Sequence, residues 1–191
     1  MTDQAPIIVA ITGATGAILG IETLRALKDL KIPTHLVVTE SGALTLTYET
    51  GLTLEDARQL ATKTYTNKDV GAAIASGSFR TAGMIVAPCS IKTLSGIANS
   101  FADNLVIRAA DVCLKERRPV ILMVRETPLH KGHLELMSRA CDYGCTIAPP
   151  MPAFYTKPQS IDDIVRHTVG RSLDLLNIKH DLVKPWTGDL R

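Results

Sequence analysis

Two short segments of this 191-residue chain carry the groups best suited to chemistry. The first is Pro88-Cys89-Ser90-Ile91-Lys92-Thr93, which follows the apolar run Met84-Ile85-Val86-Ala87. The second is Arg125-Glu126-Thr127-Pro128, which follows Val120-Ile121-Leu122-Met123-Val124. Two buried strands thus release polar residues at their carboxyl ends, the edge where open parallel sheets hold ligands. Ser90 and Thr93 fall in the first turn of the next helix, where hydroxyls cap the helix or bind an anion. A third segment, Thr12-Gly13-Ala14-Thr15-Gly16-Ala17, joins the β-branched run 7–11 to a helical pattern at Ile21, Leu24, Leu27 and Leu30. Strand, glycine turn and helix can hold a phosphate, because backbone N–H groups approach closely and the helix start carries partial positive charge. The pattern is shorter than a full dinucleotide fingerprint, and no acidic residue closes the second strand as a ribose ligand would. A phosphate-bearing cofactor and a plain tight turn both fit it. Cys89 opens a helix, which can activate a thiol. No histidine is placed in the sequence to pair with it, so a small buried thiol is the simpler reading.

The elements that position these groups follow from the hydrophobic pattern. Continuous apolar runs predict strands over 7–11, 34–39, 84–87 and 120–124, with a short last strand at 146–150. Helical spacing predicts helices after each glycine or polar turn: from about 17, over 43–50, 55–62, from 93, over 105–117, 133–143 and 160–176. Residues 51–74 otherwise read as polar and irregular, and 74–79 as a loop near the site. Thr39 and Ser41 either cap a helix or touch a ligand, capping being the commoner role. Arg108, Asp111 and Lys115 at helical spacing read as a solvated ion-pair face, and Glu116 to Arg118 as a solvated helix end. A lone Trp186 beside Pro185 reads as an anchor for the tail. Strands alternating with helices give an α/β fold: a three-layer Rossmann-like (flavodoxin-like) domain with a mostly parallel sheet over 1–191. Residues 1–6 and 187–191 are expected to be flexible tails.

Composition limits the function. Charged residues make up 21% and the net charge is +2, without the dense basic face of a nucleic-acid binder. No apolar run approaches the ~20 residues that cross a bilayer, and the N-terminus lacks the basic start of a secretory signal. The four cysteines do not have zinc-site spacing and fit a reducing cytoplasm.

Taken in order, Thr12–Gly16, Tyr48-Glu49-Thr50, Ser76-Gly77-Ser78, Pro88-Cys89-Ser90 with Thr93, Arg108–Val112, Leu114-Lys115-Glu116, Arg125–Leu129, His133-Leu134-Glu135 and Pro152–Tyr155 form one set. In this order and spacing the set resembles the UbiX-type flavin prenyltransferases over nearly the whole chain. Members of that family join a dimethylallyl group from dimethylallyl phosphate to atoms N5 and C6 of reduced FMN. The product, prenylated FMN, is the cofactor of UbiD-type decarboxylases. The resemblance implies that Gly13, Ala14 and Thr15 line the FMN, and that Thr39, the turn Ser90-Ile91-Lys92-Thr93 and Arg125 hold its phosphate and ring edges. It implies Tyr155, Arg171 and Lys115 as ligands of the dimethylallyl phosphate. It implies Glu49, Ser76, Lys115 and Glu126 as catalytic, with Glu49 and Ser76 reaching the site across a subunit interface. It further implies a cytoplasmic homo-oligomer, commonly a dodecamer, working without a metal. His133 matches a family position with a structural hydrogen bond as its expected role. Two departures concern pocket shape: threonine at 15 where many members have serine, and a divergent segment 51–74. Two rival functions share the fold, an FMN-dependent decarboxylase of the homo-oligomeric flavoprotein type and a non-catalytic flavin carrier. The set of Glu126, Tyr155 and Arg171 argues against the decarboxylase, and a carrier would not need the phosphate set of Lys115, Tyr155 and Arg171.

Overall fold

The structure is a computed structural model and describes residues 4–186 and 188. Among these, six strands form one all-parallel sheet: β1 (Ile7–Ile11), β2 (Thr34–Val38), β3 (Lys63–Thr66), β4 (Gly83–Cys89), β5 (Val120–Val124) and β6 (Cys145–Ile147). Their order is β3-β2-β1-β4-β5-β6. The helices are α1 (Ala17–Asp29), α2 (Glu40–Thr50), α3 (Leu54–Leu60), α4 (Ile91–Ala98), α5 (Leu105–Lys115), α6 (Lys131–Asp142) and α7 (Ile161–Asp174). None is long and apolar enough to cross a membrane.

Every residue of β1, β4 and β5 is buried, as helices on both faces of a parallel sheet require. Successive strand residues face opposite layers. Ile8 and Ala10 of β1, with Met84 and Val86 of β4, pack with α4 and α5. Ile7, Val9, Ile11, Ile85 and Ala87 pack instead with α1 and α7. Each large aliphatic side chain so placed contributes about 1.5–3 kcal/mol. Gly20 lets α1 lie close on the sheet, since a Cβ there would overlap the Ala87 carbonyl and the Ile11 side chain.

Strand β1 leaves to a helix on one face and its neighbour β4 to a helix on the other. The loops diverge between them, which opens a crevice at the carboxyl edge. The predicted three-layer fold is therefore present, with local differences: the last strand is Cys145–Ile147 rather than 146–150, and the helix expected over 43–50 begins at Glu40. Residues 63–66 form edge strand β3 inside the segment read as irregular, and β4 runs on through Pro88 to Cys89. Gly144, at φ +100°, ends α6 as expected. The tail expected over 187–191 falls outside the described residues, Gly188 aside. At the other end, the Pro6 carbonyl accepts from the Ala82 N–H at 2.9 Å.

Candidate active site

Hydroxyl groups tie the crevice together. Buried Thr12 donates from Oγ1 to the Pro88 carbonyl (2.7 Å), and the same Oγ1 accepts from the Ser90 N–H (2.8 Å). The glycine turn is thereby fixed to the start of α4. Gly13 lies against Ser41, whose Cβ would overlap any side chain at 13, so the loops after β1 and β2 meet only because that residue is glycine. Thr39 Oγ1 accepts from the Gly42 N–H (3.0 Å) and caps α2; Ser90 Oγ accepts from the Thr93 N–H (3.3 Å) and caps α4. Both hydroxyls act as caps and also line the same cavity, of about 520 Å³. Of the anticipated residues, Gly13, Thr39, Ser90, Ile91, Lys92, Thr93 and Glu126 line it. Ala14 and Thr15 continue the turn that Gly13 opens. Arg125 is fixed at the same edge by its N–H, which donates to the Cys89 carbonyl at 3.0 Å.

The cavity also contains Ser41, weighed above as a cap or ligand contact, and residues that sequence reasoning missed: Glu40, Asn67, Lys68, Asp103 and Asn104. Asn67 follows β3 and caps α5, its Oδ1 accepting from the Val106 N–H at 3.0 Å. Lys68 pairs with Glu40 at 3.0 Å; this hydrogen bond, more than the charges of Lys68 and Lys92, holds the Glu40 carboxyl below its ordinary value. The available signal was the alternation Lys63-Thr64-Tyr65-Thr66.

Helix α1 does not offer its N-terminus freely to a phosphate. The Gly16 and Ala17 N–H groups donate to Glu49 Oε2 at 2.9 and 3.0 Å. A carboxylate here is stabilised by the helix dipole, by about 0.3–1 kcal/mol at an exposed site. Glu49 is thus engaged at the glycine turn of its own chain, whereas the resemblance implied a role reached across a subunit interface. The caps of α2, α4 and α5 (Thr39, Ser90 and Asn104) line the cavity, whereas that of α1, Gly16, does not.

Tyr155 and Arg171 do not line this cavity: Tyr155 is on the segment after β6 and Arg171 on α7, which packs beside α1. The Tyr155 hydroxyl is 3.1 Å from His167 Nε2, and its ring meets Trp186 edge to face at 5.6 Å, so Trp186 does anchor the tail. Arg171 pairs with Asp174 at 2.6 Å and shares a small cavity with His167 and the loop after β6.

Ser76 and Lys115 are at the opposite edge of the sheet. Helix α5 runs antiparallel to the strands, so its last residue stands near the start of β5. Lys115 pairs with Glu116 at 2.7 Å beside Gly77, and Ser76 Oγ is 2.9 Å from Ser78 Oγ. One chain therefore does not bring Lys115 or Ser76 to the cleft. The five residues of β5 span about 16 Å, longer than a lysine side chain. The neighbouring arginines are not a solvated face. Arg118 donates to the carbonyls of Gly77 (2.8 Å) and Phe79 (2.9 Å), and Arg108 to that of Ala75 (3.2 Å). Both hold the 75–79 loop, although Arg108 also keeps its Asp111 partner at 2.7 Å.

Cys89 is fully buried, and burial drives its thiol far up from the ordinary value, which removes the nucleophile reading. The His133 ring lies tilted against His130, ring centroids 3.6 Å apart, and its buried Nδ1 has no partner among the described residues, contrary to the expected structural hydrogen bond.

Comparison with known proteins agrees with this arrangement. A family model described as Flavoprotein matches residues 1–173. The chain is 54% identical to the flavin prenyltransferase UbiX of Thauera aromatica, over 96% of this chain and 94% of that one. A crystal structure of AnUbiX (PadA1) in complex with FMN and dimethylallyl pyrophosphate superposes with a TM-score of 0.95 at 46% identity, covering 97% of this chain and 98% of the other. A dodecameric FMN-dependent UbiX-like decarboxylase from Escherichia coli O157:H7 superposes with a TM-score of 0.93 at 47% identity, covering 96% and 100%. The motifs, the sheet order and these likenesses agree: the chain belongs to the Flavoprotein family, in its UbiX-type flavin prenyltransferase branch.

Proposed function

We propose that this protein transfers a dimethylallyl group from dimethylallyl phosphate to N5 and C6 of reduced FMN. The prenylated FMN it makes then serves a UbiD-type decarboxylase. The observation that carries this reading is the near-complete likeness to a structure holding FMN and dimethylallyl pyrophosphate together. The cleft fits a flavin: its volume of about 520 Å³ is within the range of about 300–1,000 Å³ for small-molecule sites. Reduced flavin supplies the nucleophilic atoms.

The chain's own residues divide the remaining work. Gly13, Ala14 and Thr15 pass the backbone along the flavin, while Thr39, the Ser90–Thr93 helix start and Arg125 hold its phosphate and ring edges. The α4 N-terminus suits an anion because its first N–H groups carry partial positive charge. Tyr155 and Arg171 hold the phosphate of the prenyl donor, where donors and cations stabilise the departing anion as the allylic C–O bond breaks. Glu126 lines the cavity, and among the described residues its Oε1 accepts only from the adjacent Thr127 N–H. It is the carboxylate free to take a proton released at the flavin, whereas Glu49 orders the glycine turn. Ser76 and Lys115 come from a neighbouring copy, so a working site needs the symmetric assembly, a dodecamer as in the Escherichia coli O157:H7 neighbour. The four free cysteines fit a reducing cytoplasm.

The test is anaerobic incubation of the protein with FMN, dithionite and dimethylallyl phosphate, then mass spectrometry of the extracted flavin. The expected result is a gain of one five-carbon unit that is absent without protein. Unmodified FMN from a protein that binds it would favour the decarboxylase or carrier reading.

A further inference from the structure

His167 lies between the two proposed donor ligands, one helical turn before Arg171 on α7. Its Nε2 is 3.1 Å from the Tyr155 hydroxyl, with the rings edge to face at 5.7 Å. It lines both the cavity of about 580 Å³ that contains Tyr155 and the cavity of about 200 Å³ that contains Arg171. Among the described residues it is the one member common to both.

The hydrogen bond can run in two directions, and the direction matters to an anion. If Nδ1 carries the ring proton, Nε2 accepts the tyrosine proton, and the phenolic oxygen then turns only lone pairs toward a phosphate. If Nε2 carries the proton, it donates to the phenolic oxygen and leaves the tyrosine O–H free to donate. Burial first, and the Arg171 charge second, lower the pKa of His167, with Asp174 opposing, so the ring is neutral at pH 7 and either tautomer is open to it.

We propose that His167 is a positioning residue: its Nε2–H donates to Tyr155 and aims the tyrosine hydroxyl at the phosphate of the prenyl donor beside Arg171. This rests on the assignment of Tyr155 and Arg171 as donor ligands. No part of it involves the flavin cleft, so loss of His167 weakens donor binding while FMN binding and the chemical step persist. Glutamine substitutes for histidine here, because its amide N–H can stand where Nε2–H stood and donate to the phenolic oxygen.

The experiment titrates dimethylallyl phosphate into the oxidised FMN complex by calorimetry, since the transfer needs reduced flavin, and measures turnover separately on the reduced complex. His167→Phe is expected to weaken binding about tenfold, the scale of one hydrogen bond, and to raise KM with kcat within about twofold. His167→Gln is expected to stay within about twofold of wild type, and His167→Phe to add nothing in a Tyr155→Phe background. Three results would overturn the pairing: unchanged binding in His167→Phe, His167→Gln no better than His167→Phe while both bind FMN, or a full effect of His167→Phe without the tyrosine hydroxyl. If the binding pattern holds but wild type prenylates no flavin, the transferase reading fails and the pairing stands. Wild type that binds no dimethylallyl phosphate overturns both.

Discussion

The two edges of the sheet organise their reactive side chains differently. At the carboxyl edge, Thr12, Gly13, Thr39 and Ser90 are interlocked by hydrogen bonds and close contact around one cavity. At the amino edge, Ser76 stands on a loop held by Arg118, and Lys115 ends α5 beside that loop. A self-contained site would keep all its ligands on one edge. Under the proposed function, the carboxyl edge binds the flavin and the amino edge is presented to another copy.

Substitutions that distinguish the edges sharpen this comparison. The largest effects are expected from Glu126→Gln and Lys115→Ala, each lowering turnover about 100-fold or more while FMN titration stays within a few-fold of wild type. If Lys115→Ala abolished FMN binding instead, the amino edge would have to belong to the flavin cleft. Next is Gly13→Val, which drives a side chain into Ser41. FMN affinity should fall at least about tenfold, with a stability loss of about 1–3 kcal/mol seen in urea unfolding. Arg118→Ala leaves the carbonyls of Gly77 and Phe79 without their donor. It should cost about 1–3 kcal/mol and reduce turnover more than FMN affinity, since it loosens the loop carrying Ser76.

The smallest effect belongs to His35, between the edges. It is buried, stacked on Phe79 and bonded to the Tyr65 hydroxyl at 3.0 Å. Burial, and then the Lys63 charge, lower its pKa. The unfolded chain therefore binds a proton more readily than the native one. The native state keeps its full stability above the ordinary histidine value near 6.5, and loses it as pH falls from there through the lowered native value. Thermal melts between pH 7.5 and 5 should show this decline in wild type and less of it in His35→Phe.

Much of the architecture was legible because central strands of a parallel sheet must be apolar on both faces, as 7–11, 84–87 and 120–124 are. Strand β3 was not, since an edge strand reading Lys63-Thr64-Tyr65-Thr66 has no continuous apolar run, and with it went Asn67 and Lys68 of the cavity. The cleft residues could be identified because each directly follows a strand. Glu49 could not: no local pattern shows that a residue late in α2 will cap α1. The position of Lys115 was implicit, because a helix leading into β5 must end at the amino edge, and family resemblance alone did not reveal it.

The central claim is that one working site takes Lys115 from one copy and Glu126 from another. It is tested most directly by co-expressing Lys115→Ala and Glu126→Gln chains, each inactive alone, and measuring prenylated flavin from the mixed assembly. Random mixing leaves about a quarter of the sites with both native residues, so activity should return to about a quarter of wild type. Mixed assemblies, verified as such, that stay as inactive as either parent would contradict the claim.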